Sequence, residues 1–395
     1  MISEQTLTIV KSTAPVLAAE GENITKLFYT KLFVNHPELK HVFNMANQGK
    51  GEQARALAHS VFQYATHIDK LDALGDTVAR IAHKHTSLQV APEHYPIVGK
   101  FLLEAIQEHL GLNPDDPILT AWAEAYGALA AIFVNTEEAM YQANEDKLGG
   151  WRGDREFVIC ETKEEAVEVK SFYLKSTDGQ PIATFEPGQY VGIKVTPNTS
   201  EHTEIRQYSL SNAPNNDIYR ITVRTEVTAG HQPGVVSHFL HDAVVGDKVM
   251  LKPPAGEFLI RDNKDDLVLL AGGVGITPVL SMLLAKINNG EDVSKVTFIL
   301  CCRDKNHHIM ADELTALQAK HGFNYYVSYE HGDGADFEGY LTADILNKWI
   351  DNKQTDAYFC GPKPFMEAIN NTLQDIGFAE DQLYYETFGP NIQLG

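Results

Sequence analysis

The hydrophobic pattern of this chain changes period twice, and that limits its fold more than any other feature. Up to about Leu148-Gly149-Gly150-Trp151, apolar residues recur at helical spacing. Beyond it they alternate with polar ones, and Gly/Pro turns intervene. From about Asp265, strand-like runs are separated by helix-like ones. An amphipathic helix, a half-buried strand and a fully buried parallel strand each need a different packing partner, so no single layer architecture serves all three. A chain of 395 residues has room for two or three domains. The expected order is an all-α domain over 1–147, an antiparallel β-barrel over 152–262 and a doubly wound α/β domain over 266–395.

In the first part, Ile24, Leu27, Phe28 and Phe33 mark one helix. Pro37 starts a short one carrying Leu39, Val42 and Phe43, because proline suits a first helical turn. Ala54, Ala58, Val61, Phe62, Ala65 and Ile68 stripe the next. Leu71, Leu74, Val78, Ile81 and His85 fall on one apolar face of another. Pro92 opens a helix with Val98, Phe101, Leu102, Ile106 and Leu110 that stops at Gly111, and the last runs from Pro117 through Leu119, Trp122, Tyr126, Leu129 and Phe133. In the middle part Val191, Ile193 and Val195 alternate with Gly192, Lys194 and Thr196, and Tyr219, Ile221 and Val223 with Arg220, Thr222 and Arg224. In the third, Leu267–Ala271, 296–301, 325–329 and 357–360 read as strands, with a helix through Leu280, Leu283, Leu284 and Ile287 after the first.

The formal net charge of −21 disfavours phosphate backbones and anionic lipid. Neither a nucleic-acid partner nor stable membrane association is expected. The apolar runs are short of a membrane span, and Met1-Ile2-Ser3-Glu4-Gln5-Thr6 lacks a secretory pattern, so the expected location is the cytoplasm. The cysteines at 160, 301, 302 and 360 form no CxxC pair, which indicates neither zinc nor a disulfide framework.

His85 points where a buried ligand would sit. On spacing alone, a core histidine satisfied by a backbone carbonyl is the commoner reading, and an axial ligand to haem iron is the other. Around it, Phe43 follows the Pro37 helix, Tyr29 follows Phe28, and Gln53 and Leu57 stand four apart on one helix face. With these residues the segment resembles a bacterial globin. The resemblance implies that Phe43 packs on the haem and that Tyr29 and Gln53 form the distal pair, donating a phenol O–H and an amide N–H to bound oxygen. It makes Leu57 the apolar residue crowding the ligand, and Lys84-His85-Thr86-Ser87 the proximal stretch with His85 on the iron. It also makes Tyr95 and Glu137 a proximal hydrogen-bond network. Taken without it, Tyr95 is a core aromatic and Glu137 a solvated acid.

Arg206-Gln207-Tyr208-Ser209 fits the RxYS pattern of ferredoxin-reductase-like proteins, and Pro187-Gly188-Gln189-Tyr190 matches the preceding strand. Tyr208 can stack on an isoalloxazine ring, Ser209 can bond near the reactive ring nitrogen, and Arg206 can pair with a pyrophosphate. Gly234-Val235-Val236-Ser237 opens a helix whose N-terminus offers N–H groups to phosphate. Gly272-Gly273-Val274-Gly275-Ile276-Thr277-Pro278 follows a strand and starts a helix, so its backbone can approach a nicotinamide dinucleotide. Cys360-Gly361-Pro362 resembles the second nicotinamide-side motif of such reductases. In Tyr385-Glu386-Thr387-Phe388-Gly389-Pro390 the resemblance places Phe388 over the flavin and Glu386 at its edge; relatives commonly carry cysteine where Thr387 stands.

Globin and reductase together resemble a flavohaemoglobin. That resemblance implies haem b, FAD and NADH or NADPH as cofactors, with Lys84 and Glu386 between the two centres. It implies nitric oxide dioxygenation, in which NAD(P)H reduces FAD, FAD reduces the haem, and O2 and NO yield nitrate. No oligomer is called for, and a monomer is the default. Two alternatives stand beside this reading: an oxygen or NO sensor or carrier with an attached reductase, and a flavin reductase whose helical domain holds no haem. Arg303 could meet a 2′-phosphate or be a solvated loop charge.

Overall fold

A computed structural model describes residues 2–49, 51–197, 201–225, 234–261 and 266–389. Chain proximity gathers it into two compact units, one made of Met1–Asp146 with Ser200–Ile205 and the other of Lys147–Thr199 with Arg206–Gly395.

The helical unit contains α1 (Glu4–Ser12), α2 (Ala14–Asn35), α3 (Met45–Gly49), α4 (Glu52–His67), α5 (Gly75–Leu88), α6 (His94–Leu110) and α7 (Pro117–Glu145). Local chemistry sets their ends. Ser3 caps α1 by accepting from Thr6 N at 3.2 Å. Asp116 caps α7 by accepting from Ile118 N at 2.9 Å, with Pro117 at the first helical position. Gln89 and Gly111 end α5 and α6 in the left-handed region. The core joins Ile24, Phe28 and Leu32 of α2 to Ala65 of α4, Ile106 of α6 and Trp122 of α7. Each such large apolar side chain contributes about 1.5–3 kcal/mol on full burial.

Several boundaries differ from the sequence expectation. Leu71–Leu74 form a separate 3-10 turn, and α5 starts only at Gly75. Val78, Ile81 and His85 still share a face, so the inward direction of His85 survives. Pro92 lies in the turn before α6 and not at its first position. Pro37–His41 is a 3-10 helix, and Val42 and Phe43 follow it. The 29-residue α7 is long and apolar enough to cross a membrane by length and composition, contrary to the expectation of short apolar runs. Here it packs on α1, α5 and α6, with Ala121, Trp122, Ala125 and Phe133 buried.

The second unit begins with a barrel: β1 (Arg155–Ala166), β2 (Val169–Ser176), β3 (Tyr190–Val195), β4 (Glu204–Ser209), β5 (Tyr219–Arg224), α8 (Val235–Asp242) and β6 (Lys248–Leu251). The strand order is β4-β3-β6-β1-β2-β5, and a bridge between Leu210 and Ile221 joins its two ends into a closed sheet. β1 pairs antiparallel with β2 and β6, β2 with β5, and β3 with β6.

Alternation predicts one wet face for β5, but Arg220 is 5% and Thr222 3% exposed. Both faces are covered. Arg220 Nη1 donates to Glu313 Oε2 at 2.8 Å and Oε1 at 3.0 Å, while Thr222 bonds Ser171 at 2.8 Å and Ser211 at 3.0 Å.

The rest of this unit is β7 (Leu267–Gly272), α9 (Ile276–Asn288), β8 (Thr297–Cys302), α10 (Ala311–His321), β9 (Asn324–Tyr329), β10 (Phe337–Glu338), α11 (Ala343–Trp349), β11 (Asp356–Cys360), α12 (Lys363–Asp375) and β12 (Leu383–Glu386). The sheet is parallel in the order β10-β9-β8-β7-β11-β12. β7 and β11 are buried along their whole length, as expected when helices cover both faces. Strand order reverses between β7 and β11, and a crevice at such a switch point is where open α/β sheets bind ligands.

Candidate functional site

On the α5 side of the helical unit, His85, Tyr95 and Glu137 converge from α5, α6 and α7. His85 Nδ1 lies 2.7 Å from Glu137 Oε1 and 3.0 Å from the Tyr95 hydroxyl, which donates to the same carboxylate oxygen at 2.5 Å. Glu137 is only 2% exposed, so it is not the solvated acid that composition alone suggests. Tyr95 is likewise more than a packed ring. Burial, then Glu137, pushes its phenol far above the ordinary value, so it stays protonated and can only donate to the carboxylate. With Nδ1 committed to Glu137, the tautomer leaves the Nε2 lone pair of His85 as a ligand atom. Phe133 lies 5.5 Å from the imidazole, and Tyr126 anchors Tyr95 by donating to its carbonyl at 2.8 Å.

Tyr29 of α2 defines a second face. Its ring contacts Phe28, Phe33 and Phe43 at 4.7, 5.8 and 5.8 Å between centroids. Burial holds the phenol far above its ordinary pKa, and the neighbouring Gln48 and Gln53 side chains pull it weakly the other way. Tyr29 is therefore a proton donor at any working pH. Gln53 Oε1 and Gln48 Nε2 are buried and complete no hydrogen bond. Leu57 sits one turn beyond Gln53 on α4, partly buried against the helical core. Gln48 was not singled out from the sequence; it stands on the five-residue α3, too short for a periodic signal.

This arrangement fits a haem. One imidazole has its other nitrogen tied to a buried carboxylate, aromatic Phe43 borders the site, and an amide oxygen and an amide nitrogen stay unsatisfied near Tyr29. Among the described residues no cluster of three His, Cys, Asp or Glu could hold a bare metal ion.

In the second unit, Arg206, Gln207, Tyr208 and Ser209 lie on β4; Ser209 is buried and Tyr208 packs on the barrel core. Tyr190 starts β3, and a Cβ at Gly256 would lie 3.0 Å from its ring. Gly234 is the N-cap of α8 and has no side chain of its own to accept from the first-turn N–H groups. Val236 and Ser237 are buried, and Ser237 Oγ donates to Gly234 O at 3.0 Å. The start of a helix that packs on β5 suits a phosphate group.

The two glycine motifs meet at the switch point. A Cβ at Gly275 would fall 2.1 Å from Cys360 O and 2.7 Å from Gly361 N, and one at Gly361 would lie 3.1 Å from Gly272 Cα. Only glycine lets these backbones touch. Gly273 adopts φ 54° in the 3-10 turn Gly273–Gly275, with Val274 at its centre. Ile276, Thr277 and Pro278 open α9 in full burial, and Thr277 Oγ1 donates to Val274 O at 3.1 Å. Pro362 is the N-cap of α12. Burial pushes the Cys360 thiol up, so it is inert.

β12 was not foreseen as a strand. It places Glu386 in register with Cys360 at the carboxyl end of β11, followed by half-buried Thr387 and exposed Phe388 and Gly389. Pro390 lies outside the described residues. Lys84 is exposed on α5. Arg303, after β8, is exposed and lies 3.4 Å from His307.

Three family models match successive stretches of the chain. Residues 26–133 match the globin family, 156–260 the oxidoreductase FAD-binding domain and 269–371 the oxidoreductase NAD-binding domain. The chain is 44% identical over 399 residues to the flavohemoprotein of Oceanobacillus iheyensis, covering 99% of this chain and 97% of that one. The crystal structure of a flavohemoglobin from Malassezia yamatoensis, with FAD and heme bound, shares the fold with a TM-score of 0.88 at 24% identity, over 98% of this chain and 100% of that one. The FAD/NAD-binding domain of nitric oxide dioxygenase from Vibrio cholerae is 38% identical, with a TM-score of 0.57, over 60% of this chain and 100% of that one.

Proposed function

We propose that this chain, which belongs to the flavohemoprotein family, converts nitric oxide to nitrate with electrons from NAD(P)H. It is a globin domain fused to an FAD- and NAD-binding oxidoreductase. The observation that carries the reading is the His85–Glu137–Tyr95 network, which would make His85 a strongly donating ligand for haem iron in a chain with its own reductase. When bound, haem supplies an oxygen-binding iron, and FAD turns a hydride into single electrons.

The residues then have these parts. His85 Nε2 would hold the iron, with Glu137 drawing on the Nδ1 proton to make the imidazole more basic. Tyr29 and Gln53 would offer an O–H and an N–H to an anionic ligand of the haem. Leu57 and Phe43 exclude water there. Arg206 and the start of α8 hold the flavin's phosphates, and Tyr190, Tyr208 and Ser209 hold its ring. The Gly272–Pro278 and Cys360–Pro362 loops bind the nicotinamide end, with Phe388 on the flavin. Lys84 would act by its charge on the haem side and Glu386 on the flavin side. The same reading puts the protein in the cytoplasm.

Nitric oxide should accelerate NADH oxidation by the aerobic protein, with one nitrate formed per nitric oxide consumed. Tyr29→Phe should lower that rate while sparing reduction of ferricyanide. Slow, nitric-oxide-independent NADH oxidation with reversible ligand binding would point instead to a carrier or sensor.

A further inference from the structure

Beside Tyr29 the helical unit holds a cavity of about 470 Å³, lined by Lys26, Tyr29, Phe33, Gln48, Gly51 and Arg55 among others. The polar side chains in this wall are donors or neutral, and none is a carboxylate. Gln48 Nε2 is buried, makes no hydrogen bond and belongs to the lining. Gly51 caps α4 from the left-handed region, φ 70°, and has no side chain of its own to accept from the first N–H groups of this 16-residue helix. Arg55 folds back over that start, its Nη1 3.5 Å from where a Gly51 Cβ would stand. Glu22 reaches the two cations from outside, 2.7 Å from Lys26 and 3.8 Å from Arg55. Glu52 opens the first turn of α4 but does not line the cavity.

We infer that this cavity is a binding site for a small planar oxoanion, and that nitrate leaves the distal side through it. Three acceptor oxygens on one negative charge match an amide N–H, a guanidinium fork and an ammonium. An anion formed next to Tyr29 meets Gln48 first and the cations at the mouth second, so its electrostatic energy falls outward along the path. Glu22 is a surface acid in an exchangeable pair, and a departing anion competes with it for Lys26 and Arg55. The identity of the anion rests on the nitric oxide reading; the existence of the site does not.

The test titrates the haem- and FAD-loaded protein, without NADH or nitric oxide, with sodium nitrate at constant ionic strength. Soret difference spectra report the anion near Tyr29. Phenylglyoxal labelling of Arg55, read by peptide mass spectrometry, reports it at the mouth. Nitrate should shift the spectrum saturably and slow labelling of Arg55 but not of exposed Arg80. Gln48→Leu and Arg55→Gln should each weaken binding about tenfold, the size of a lost charge-assisted hydrogen bond. Glu22→Gln should tighten it several-fold by removing the competitor. No nitrate-dependent signal in either readout, or unchanged affinity in Gln48→Leu and Glu22→Gln, overturns the site. Saturable nitrate binding in a protein that consumes no nitric oxide keeps the site and sinks the functional reading instead.

Discussion

Glu137 is a buried carboxyl group whose Oε1 faces both His85 and Tyr95, and in the proposed function it is the group that strengthens His85 as a donor. Glu137→Gln keeps the shape and removes the charge. The expected result is a lower iron–histidine stretching frequency and a nitric oxide turnover reduced about 10–100-fold. An unchanged frequency would remove Glu137 from the mechanism. A second histidine offers a pH test away from the chemistry. His308 spans two tyrosines, Nδ1 at 2.8 Å from the Tyr329 hydroxyl and Nε2 at 2.7 Å from that of Tyr325. Burial lowers its pKa below 6.5, with Asp312 pulling weakly the other way. The unfolded chain therefore takes the proton first. Stability from this group is whole above pH about 6.5 and is lost as pH falls through the lowered folded value. Melting temperature of the reductase unit should drop from pH ~7 to ~5, with a shallower slope in His308→Gln. At this scale the sequence named His85, Tyr95 and Glu137 only through a resemblance, because their spacing fits a plain core equally well. It missed Gln48, which reaches the cavity beside Tyr29 from the short α3.

Among the elements, the loops after β7 and β11 are most tightly determined. Backbone meets backbone at Gly275, so a methyl group there cannot be absorbed by a rotamer change. Gly275→Ala should cost about 1–3 kcal/mol. It should also raise the KM for NADH in ferricyanide reduction while the carbon monoxide spectrum of the globin stays unchanged. Wild-type kinetics in this variant would mean that the two loops are not held as described. These loops were readable from sequence because a strand, a glycine turn and a helix are all local signals. β12 was not readable, since a four-residue strand becomes one only by pairing with β11. The 3-10 turn at Leu71–Leu74 escaped for a related reason: its apolar spacing continues that of α5.

Across the whole molecule, the three textures of the chain became three kinds of layer, because hydrophobic period is a property each segment carries alone. Charges that meet across layers are not. Arg220 looked like the solvent face of a strand, yet its side chain is 6% exposed and pairs with Glu313 of α10, 23% exposed. The same seam carries a hydrogen bond from Ser281 to Asn212 O at 2.8 Å. Glu313→Ala would strand a buried guanidinium, and breaking such a pair costs about 3–5 kcal/mol. Flavin fluorescence during urea unfolding should report that loss, with haem absorbance of the helical unit shifting little. Equal midpoints in mutant and wild type would show the pair to be idle.

The Leu210–Ile221 bridge has a consequence for the protein in bulk. A sealed barrel presents no open strand for another copy to extend, and the neighbouring sheet ends on stubs of two and four residues. Crowded solutions of this protein should therefore stay clear of cross-β growth while the fold holds, and fibril-binding dyes should remain dark until it melts.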